Sequence, residues 1–266
     1  MNNTEKRNER TTHIDKMPLR EALAIINDEN NRVIEAIDKA LPAIEEACEK
    51  MIASIGKGGH VYYIGAGTSG RLGVVDASEC PPTYGVPSEM FVGIIAGGPQ
   101  CMFTAAEAQE DDPSAAIADL KAKGFRAGDV LIGISASGGA AYVVSALEYA
   151  KSLGSAAIAI VNNQGTKMEK VADTTIVLDT GAEVITGSTR MKAGTAQKIV
   201  LNMLSTMSLV KCGYVYENLM INLRPTNIKL RGRMIGIVCD ILGCDAKTAE
   251  EKLESAAWNI RAAVEK

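Results

Sequence analysis

A loop of glycines and hydroxyl residues follows a short β-branched and aromatic run early in the chain. Its sequence is Gly65-Ala66-Gly67-Thr68-Ser69-Gly70-Arg71, and a helical pattern follows it. Glycines allow the backbone to approach a ligand closely. Free N–H groups at a helix start favour an anion, and the hydroxyls of Thr68 and Ser69 add hydrogen-bond donors. We therefore predict that Gly67, Thr68 and Ser69 contact a phosphate group.

The same loop satisfies the GxGxxG spacing of dinucleotide-binding folds through Gly65, Gly67 and Gly70. That fingerprint requires an acidic residue about 20 residues further on, at the end of the second strand, to bind the ribose. The predicted second strand, Met90 to Ile95, ends in Ala96-Gly97-Gly98 without a carboxylate. The hydroxyls in the loop therefore favour a compact sugar phosphate over a dinucleotide.

The composition is that of an ordinary globular protein. The 266 residues are 47% hydrophobic and 23% charged, with a net charge of −4 and no block of lysine or arginine. A nucleic-acid partner is therefore not expected. Without an apolar run of about 18 residues, and with a polar N-terminus, we expect no membrane span or signal peptide and a cytoplasmic location. The six scattered cysteines form no CxxC pair, which argues against a metal site.

Five short apolar runs alternate with helical stretches, which predicts an α/β fold with a parallel, doubly wound sheet. The predicted strands are Val61–Ile64, Met90–Ile95, Val130–Ser135, Ala156–Val161 and Thr174–Leu178. Ligands of such sheets bind at the carboxyl ends of the strands. The glycine and serine loops lie there.

Helices are predicted on both sides of this region in sequence. Residues 1–16 are polar and expected to be loose, and two amphipathic helices follow up to about Ile55. Beyond residue 186 the pattern is helical throughout, with Ser188 or Thr189 as the cap of a long helix. Two more helices are predicted, at 226–242 and 246–264. This divides the chain into an N-terminal helical segment (1–55), a sugar-phosphate-binding domain (56–215) and a C-terminal helical extension (216–266).

Several long strings of the chain closely resemble the N-acetylmuramic acid 6-phosphate etherases of the sugar isomerase (SIS) superfamily, which also includes the glucokinase regulatory protein. They include Gly65–Arg71, Asp76–Thr83, Gly133–Gly138, Gly181–Lys198 and Asn202–Thr206. The resemblance covers nearly the whole chain. It implies an SIS fold with a UBA-like C-terminal extension, a homodimer, and no metal or organic cofactor. The implied reaction removes the D-lactyl ether of N-acetylmuramic acid 6-phosphate, giving N-acetylglucosamine 6-phosphate and D-lactate, in peptidoglycan recycling.

The reaction needs a base for the C2 proton of the open-chain sugar and an acid for the departing ether oxygen. By resemblance Glu79 is the proton donor and Glu110 the second catalytic carboxylate, to which we assign the role of base. Glu107 is the alternative if the register differs by one turn. Because Cys80 and two prolines follow Glu79, we expect the helix to end there and the apolar prolines to raise the pKa of its carboxyl.

The remaining predicted contacts come from other loops. A second strand-to-helix loop is expected to meet the first, which adds Ser135, Ser137 and Gly138 to the phosphate site. Ser188 is a further candidate. Glu183 is assigned to a sugar hydroxyl.

The chain departs from the family pattern in two places. Members usually carry Arg-Thr-Pro after the second Ser-Gly, whereas this chain has Gly139-Ala140-Ala141, so an arginine donor fork is missing beside the site. The chain also ends at Lys266, earlier than typical members. These changes keep two alternatives open, an aldose–ketose isomerase that needs only the C2 base and a non-catalytic sugar-phosphate sensor.

Overall fold

Five parallel strands form one sheet in the order β2-β1-β3-β4-β5. The computed structural model describes residues 2–104, 110–225 and 227–265. The strands are β1 Val61–Gly65, β2 Phe91–Ile95, β3 Val130–Ser135, β4 Ala156–Val161 and β5 Thr174–Val177. The predicted five-stranded parallel sheet is therefore confirmed.

The strands are apolar throughout because helices cover both faces of the sheet. The helices are α1 Leu19–Glu29, α2 Asn31–Ile55, α3 Gly67–Tyr84, α4 Pro113–Ala122, α5 Ala141–Ser152, α6 Lys167–Val171, α7 Lys192–Lys211, α8 Ile228–Leu242, α9 Ala246–Ser255 and α10 Ile260–Val264. Successive side chains of β1 point to opposite faces of the sheet and pack in different hydrophobic cores. Tyr63 packs in the core formed with α2, α3 and α7, and Tyr62 packs in the core formed with α4 and α5.

The strand order reverses beside β1, because β2 pairs on one side of it and β3 on the other. Gly65 at the end of β1 is level with Ile95 of β2 and Ile134 of β3. In doubly wound sheets the crevice at such a switch point, outside the carboxyl ends of the strands, is where ligands bind. The fold thus brings the loops after β1 and β3 to one place.

Helix α3 does not end at Glu79, so that prediction was wrong. It continues through Pro81 and Pro82 to Tyr84 and ends at Gly85, whose φ is 68° and whose N–H donates to the Pro81 carbonyl at 2.9 Å. The prolines remove N–H donors only in the last turns. Cys80 and Tyr84, four residues apart, are buried in the core, and this packing outweighs the loss.

The N-terminal strap, residues 3–16, is packed against the segments that follow β4 and β5, so the expectation of a loose segment was also wrong. Of its three short 3₁₀ turns, the first two form hydrogen bonds to residues more than 150 positions away. Thr4 is fully buried and exchanges hydrogen bonds with the Asn163 side chain, while the Thr11 hydroxyl donates to the Val184 carbonyl at 2.8 Å. Such distant pairings of short polar side chains leave no local pattern in a sequence.

A buried ion pair joins the strap, α1 and α7. The side chains of Glu29 and Lys192 are each 1% exposed and bond to each other. Glu29 also accepts hydrogen bonds from Asn8 at 2.8 Å and from Arg10 at 2.9 Å. Burial alone would raise the pKa of Glu29, but the bonds from Lys192 and Asn8 outweigh it and lower that pKa below its ordinary value. Glu29 is therefore a charged anchor for three segments.

The C-terminal helices α8, α9 and α10 pack around a small core of their own, which includes Met234, Val238, Leu253 and Ile260. The single helix predicted over 246–264 is interrupted, because Ala257 and Trp258 adopt positive φ angles of 51° and 59°. Position 226, the predicted start of α8, lies outside the described residues. The UBA-like character and the three domain boundaries stay predictions. In the described ranges, no helix combines the length and apolarity that crossing a membrane requires.

Removing one partner of the ion pair leaves an uncompensated buried charge, which typically costs about 3–5 kcal/mol. We expect Glu29→Gln to lower the free energy of unfolding by about that amount in urea titrations at pH 7, and Lys192→Met added to it to recover part of the loss. Because the pKa of Glu29 is lowered on folding, its contribution is present above the ordinary value of 4.5 and is lost as pH falls further. A loss below about 1 kcal/mol would contradict this role.

Candidate active site

A cavity of about 260 Å³ opens at the switch point between β1 and β3. Five segments of the chain line it, through Glu5, Ala66, Gly67, Thr68, Ser69, Glu110, Ile134, Ser135, Ala136, Ser137, Gly187 and Thr189. Six of the residues singled out in the sequence lie in this one cavity, namely Gly67, Thr68, Ser69, Glu110, Ser135 and Ser137.

The glycines of the first loop have separate structural reasons. A Cβ atom on Gly70 would lie 2.4 Å from the Gly65 carbonyl oxygen, so these two glycines permit close contact between β1 and α3. Gly67 has a φ of 52° and open space around it. The N-cap residue Ala66 offers no capping side chain, so the first N–H groups of α3 are left for a ligand in the cavity.

The Ser69 hydroxyl forms a hydrogen bond within the protein. It donates to the Gln197 side chain at 2.9 Å, and Gln197 donates to Asn162 at 2.8 Å, next to the end of β4. Ser69 is buried. Its hydroxyl proton is therefore committed to Gln197 of α7.

The loop after β3 presents two serine hydroxyls to the cavity. The Oγ atoms of Ser135 and Ser137 are 3.3 Å apart. Gly138 is not a lining residue but holds the loop in shape: its φ is 64°, its N–H donates to Ser135, and an added Cβ would lie 2.5 Å from Thr166. Gly138 thus fixes the conformation of the loop that carries Ser135 and Ser137.

Glu110 is exposed and lines the same cavity. Arg71 donates to the carbonyls of Met102 and Thr104, each at 3.1 Å, and so ties the segment that precedes Glu110 to helix α3. The alternative carboxylate, Glu107, lies outside the described residues.

Glu79 lies elsewhere. It follows Gly67 by twelve positions, which places it about 18 Å along α3 at 1.5 Å per residue. It is exposed and lines a second cavity, of about 450 Å³, together with Arg224 and Arg233. One copy of the chain therefore does not bring Glu79 and Glu110 together, and it does not supply the burial that the sequence suggested for Glu79.

Glu183 and Ser188 lie in the segment that leads into α7. Glu183 is fully buried and its two carboxylate oxygens accept the N–H groups of Lys192 at 3.1 Å and Ala193 at 2.9 Å. Burial raises the pKa of Glu183. Helix α7 is therefore capped by Glu183 and begins at Lys192, not at Ser188 or Thr189, and a bond from Glu183 to a sugar hydroxyl stays a prediction. Ser188 is not a lining residue, although its neighbours Gly187 and Thr189 are.

Two further residues, Glu5 and Cys80, bear on the chemistry of the site. Glu5 reaches the cavity from the N-terminal strap, and no sequence signal pointed to it because that strap was expected to be loose. Cys80 is 2% exposed and burial raises the pKa of its thiol to about 12, which leaves it inert as a nucleophile.

Relatives of known name match nearly the full length of the chain. N-acetylmuramic acid 6-phosphate etherases from Oenococcus oeni and Actinobacillus succinogenes are 48% and 49% identical over 98% of this chain and 88% and 86% of their own. The chain belongs to the N-acetylmuramic acid 6-phosphate etherase family. Residues 43–151 also match the glucokinase regulatory protein N-terminal SIS domain, and residues 113–207 match the SIS domain.

Solved structures with the same fold are more distant in sequence. A putative phosphosugar isomerase from Bacteroides fragilis is 21% identical, with a TM-score of 0.57 over 75% of this chain and 94% of its own. A phosphoheptose isomerase from Neisseria gonorrhoeae is 24% identical, with a TM-score of 0.53 over 72% and 98%. These likenesses support the SIS fold.

The departure from the etherase pattern falls at the start of α5. Ala140 is the N-cap, with no capping side chain, and Ala141 is the first helical residue. The usual Thr-Pro at these positions would give the helix a hydroxyl cap and a preorganised first turn. Among the described residues, a Cβ atom placed on Gly139 would have only the Ser137 hydroxyl within 4 Å, at 3.8 Å, so the backbone at this position does not require glycine for lack of space.

We expect Ala140→Thr to raise the free energy of unfolding by about 1 kcal/mol, since it supplies the missing cap. Urea titration measures the change, with Glu148→Thr, at an exposed position inside the same helix, as a control that should not stabilise. Equal effects of the two substitutions would contradict the capping argument.

Proposed function

We propose that this chain cleaves the D-lactyl ether of N-acetylmuramic acid 6-phosphate, as a carbon–oxygen lyase of peptidoglycan recycling in the cytoplasm. The observation that carries the proposal is the cavity at the switch point, where two loops suited to phosphate meet the carboxylate of Glu110. Membership of the etherase family supports the same substrate.

The phosphate is held by the N-terminus of α3 and by the serine loop. Gly67, Thr68, Ser69, Ser135 and Ser137 line the cavity, and they offer backbone N–H groups and the hydroxyls of Thr68, Ser135 and Ser137. A helix N-terminus and neutral donors stabilise a phosphate dianion. Glu183 acts indirectly, by fixing the start of α7 beside the cavity.

Glu110 takes the proton from C2, which is acidic because the open-chain sugar has an aldehyde at C1. The electron pair moves to form a C2–C3 double bond and the lactyl oxygen leaves from C3. Water then adds at C3, and C2 regains a proton, so the products are N-acetylglucosamine 6-phosphate and D-lactate. The base and the phosphate anchor lie in one copy of the chain.

The leaving oxygen needs an acid, and we assign it to Glu79 of a second copy in a homodimer. Glu79 is exposed at the surface of one copy, beside Val75 on the same face of α3, which is 48% exposed. Docking of that face over the partner's cavity would bury both residues and bring Glu79 to the ether.

The surroundings of Glu79 fit this assignment. The lactyl carboxylate is separated from the ether oxygen by one carbon atom, so an acid at the oxygen must have a cationic neighbour for the carboxylate. Arg224 and Arg233 line the same cavity as Glu79. Neither guanidinium forms an ion pair with a carboxylate in the described part of the chain.

Two alternatives predict different products. An aldose–ketose isomerase would use Glu110 but release no lactate, and a sensor would bind the sugar phosphate without turnover. Incubation of the protein with the substrate in heavy water separates them. We expect D-lactate together with deuterium at C2 of the product, whereas binding without either signal would overturn the enzyme assignment.

Substitution of each of the two carboxylates should impair a different step of the reaction. Glu110→Gln removes the base, so both C2 exchange and lactate release should fall by at least about 100-fold. Glu79→Gln removes only the acid, so C2 exchange should persist while lactate release falls. Glu89→Gln, an exposed position outside both cavities, is the control. Loss of C2 exchange in Glu79→Gln to the same extent would contradict the division of roles.

A further inference from the structure

The proposed phosphate cavity is lined by a second carboxylate, that of Glu5, together with the loops after β1 and β3. One carboxylate oxygen of Glu5 would lie 3.2 Å from a Cβ atom placed on Gly187, so the side chain is directed to the cavity wall beside α7. No lysine, arginine or histidine in the described residues pairs with it. Glu5 is thus a negative group at an anion site without a counter-ion.

The backbone on either side of Glu5 is fixed in place. The preceding residue, Thr4, is buried and exchanges hydrogen bonds with Asn163, and Asn163 also donates to the Ala136 carbonyl at 2.9 Å, in the serine loop itself. Asn3 donates to Asp179 at 2.9 Å. The strap therefore holds Glu5 against the loop that forms the phosphate site.

The chemistry of a carboxylate decides what it can contact in this place. An ionised carboxylate only accepts hydrogen bonds, and it repels a phosphate or another carboxylate. The phosphate and the lactyl group of the proposed substrate carry no hydrogen-bond donors, whereas the sugar hydroxyls and the acetamido N–H do. We propose that Glu5 is a substrate-binding residue that accepts a hydrogen bond from a donor of the sugar chain.

This assignment, which rests on the proposed function, also gives Glu5 a role in specificity. The charge of Glu5 disfavours inorganic phosphate alone in the cavity. A sugar phosphate compensates by donating to the carboxylate, so the cavity selects for phosphate that carries a hydroxylated chain. Loss of the charge should therefore act in opposite directions on the two ligands.

The test is Glu5→Gln, with Glu9→Gln as the matched control. Glu9 is an exposed residue of the same strap and does not line the cavity. We expect the kcat/KM of Glu5→Gln for N-acetylmuramic acid 6-phosphate to fall about 10–100-fold, the range typical of a hydrogen bond to a charged group. The inhibition constant of inorganic phosphate should stay constant or decrease, and Glu9→Gln should match the wild type.

Unchanged kinetics in Glu5→Gln would overturn the proposal, and so would parallel weakening of both ligands, which would indicate a purely structural role. Calorimetric binding of N-acetylglucosamine 6-phosphate keeps this test separate from the proposed reaction. If the wild type binds this sugar phosphate but releases no lactate, the proposed function is wrong. The role of Glu5 is then still tested, because Glu5→Gln should weaken the binding of N-acetylglucosamine 6-phosphate and not that of inorganic phosphate.

Discussion

The buried pair of Glu29 and Lys192 is the interaction on which the geometry of the site depends. Glu29 fixes the N-terminal strap through Asn8 and Arg10, and Lys192 lies at the first turn of α7, which Glu183 caps. The strap and the approach to α7 form one wall of the phosphate cavity. Charges taken out of water are tolerated only where they are paired and hydrogen-bonded, so this network has little freedom to shift.

The sheet forms the opposite wall of the cavity, through its strand order rather than through charged groups. A parallel sheet with its strand order reversed beside β1 leaves a crevice that no single loop could form. The loops after β1 and β3 then need backbone conformations with positive φ, which Gly67 and Gly138 provide. The cavity is therefore bounded by the packed sheet on one side and by the segments that the buried ion pair fixes on the other. This explains why residues from five segments converge there.

Much of this was predictable from the sequence, and the failures have physical causes. Short continuous apolar runs and glycine-rich segments are local signals, so the strands and the loops that follow them were located correctly. Helix α3 passes through Pro81 because core packing outweighs local proline chemistry, which sequence patterns do not measure. The strap, and with it Glu5, was missed because its order depends on pairings such as Thr4 with Asn163. Glu79 was identified by resemblance, but the sequence does not show how far it lies from Glu110, because the fold sets that distance.

Glu110 and Glu79 line different cavities of one chain, and the proposed function therefore assigns them to two copies. Mixing Glu79→Gln with Glu110→Gln tests this directly, after brief unfolding and refolding together and an assay of D-lactate. If Glu79 acts across the interface, each mixed dimer contains one complete site, and an equimolar mixture should regain about one quarter of the wild-type activity. Either variant alone should stay inactive. If both carboxylates acted within one chain, no mixture would hold a complete site, and activity that stays at the level of the separate variants would contradict the account.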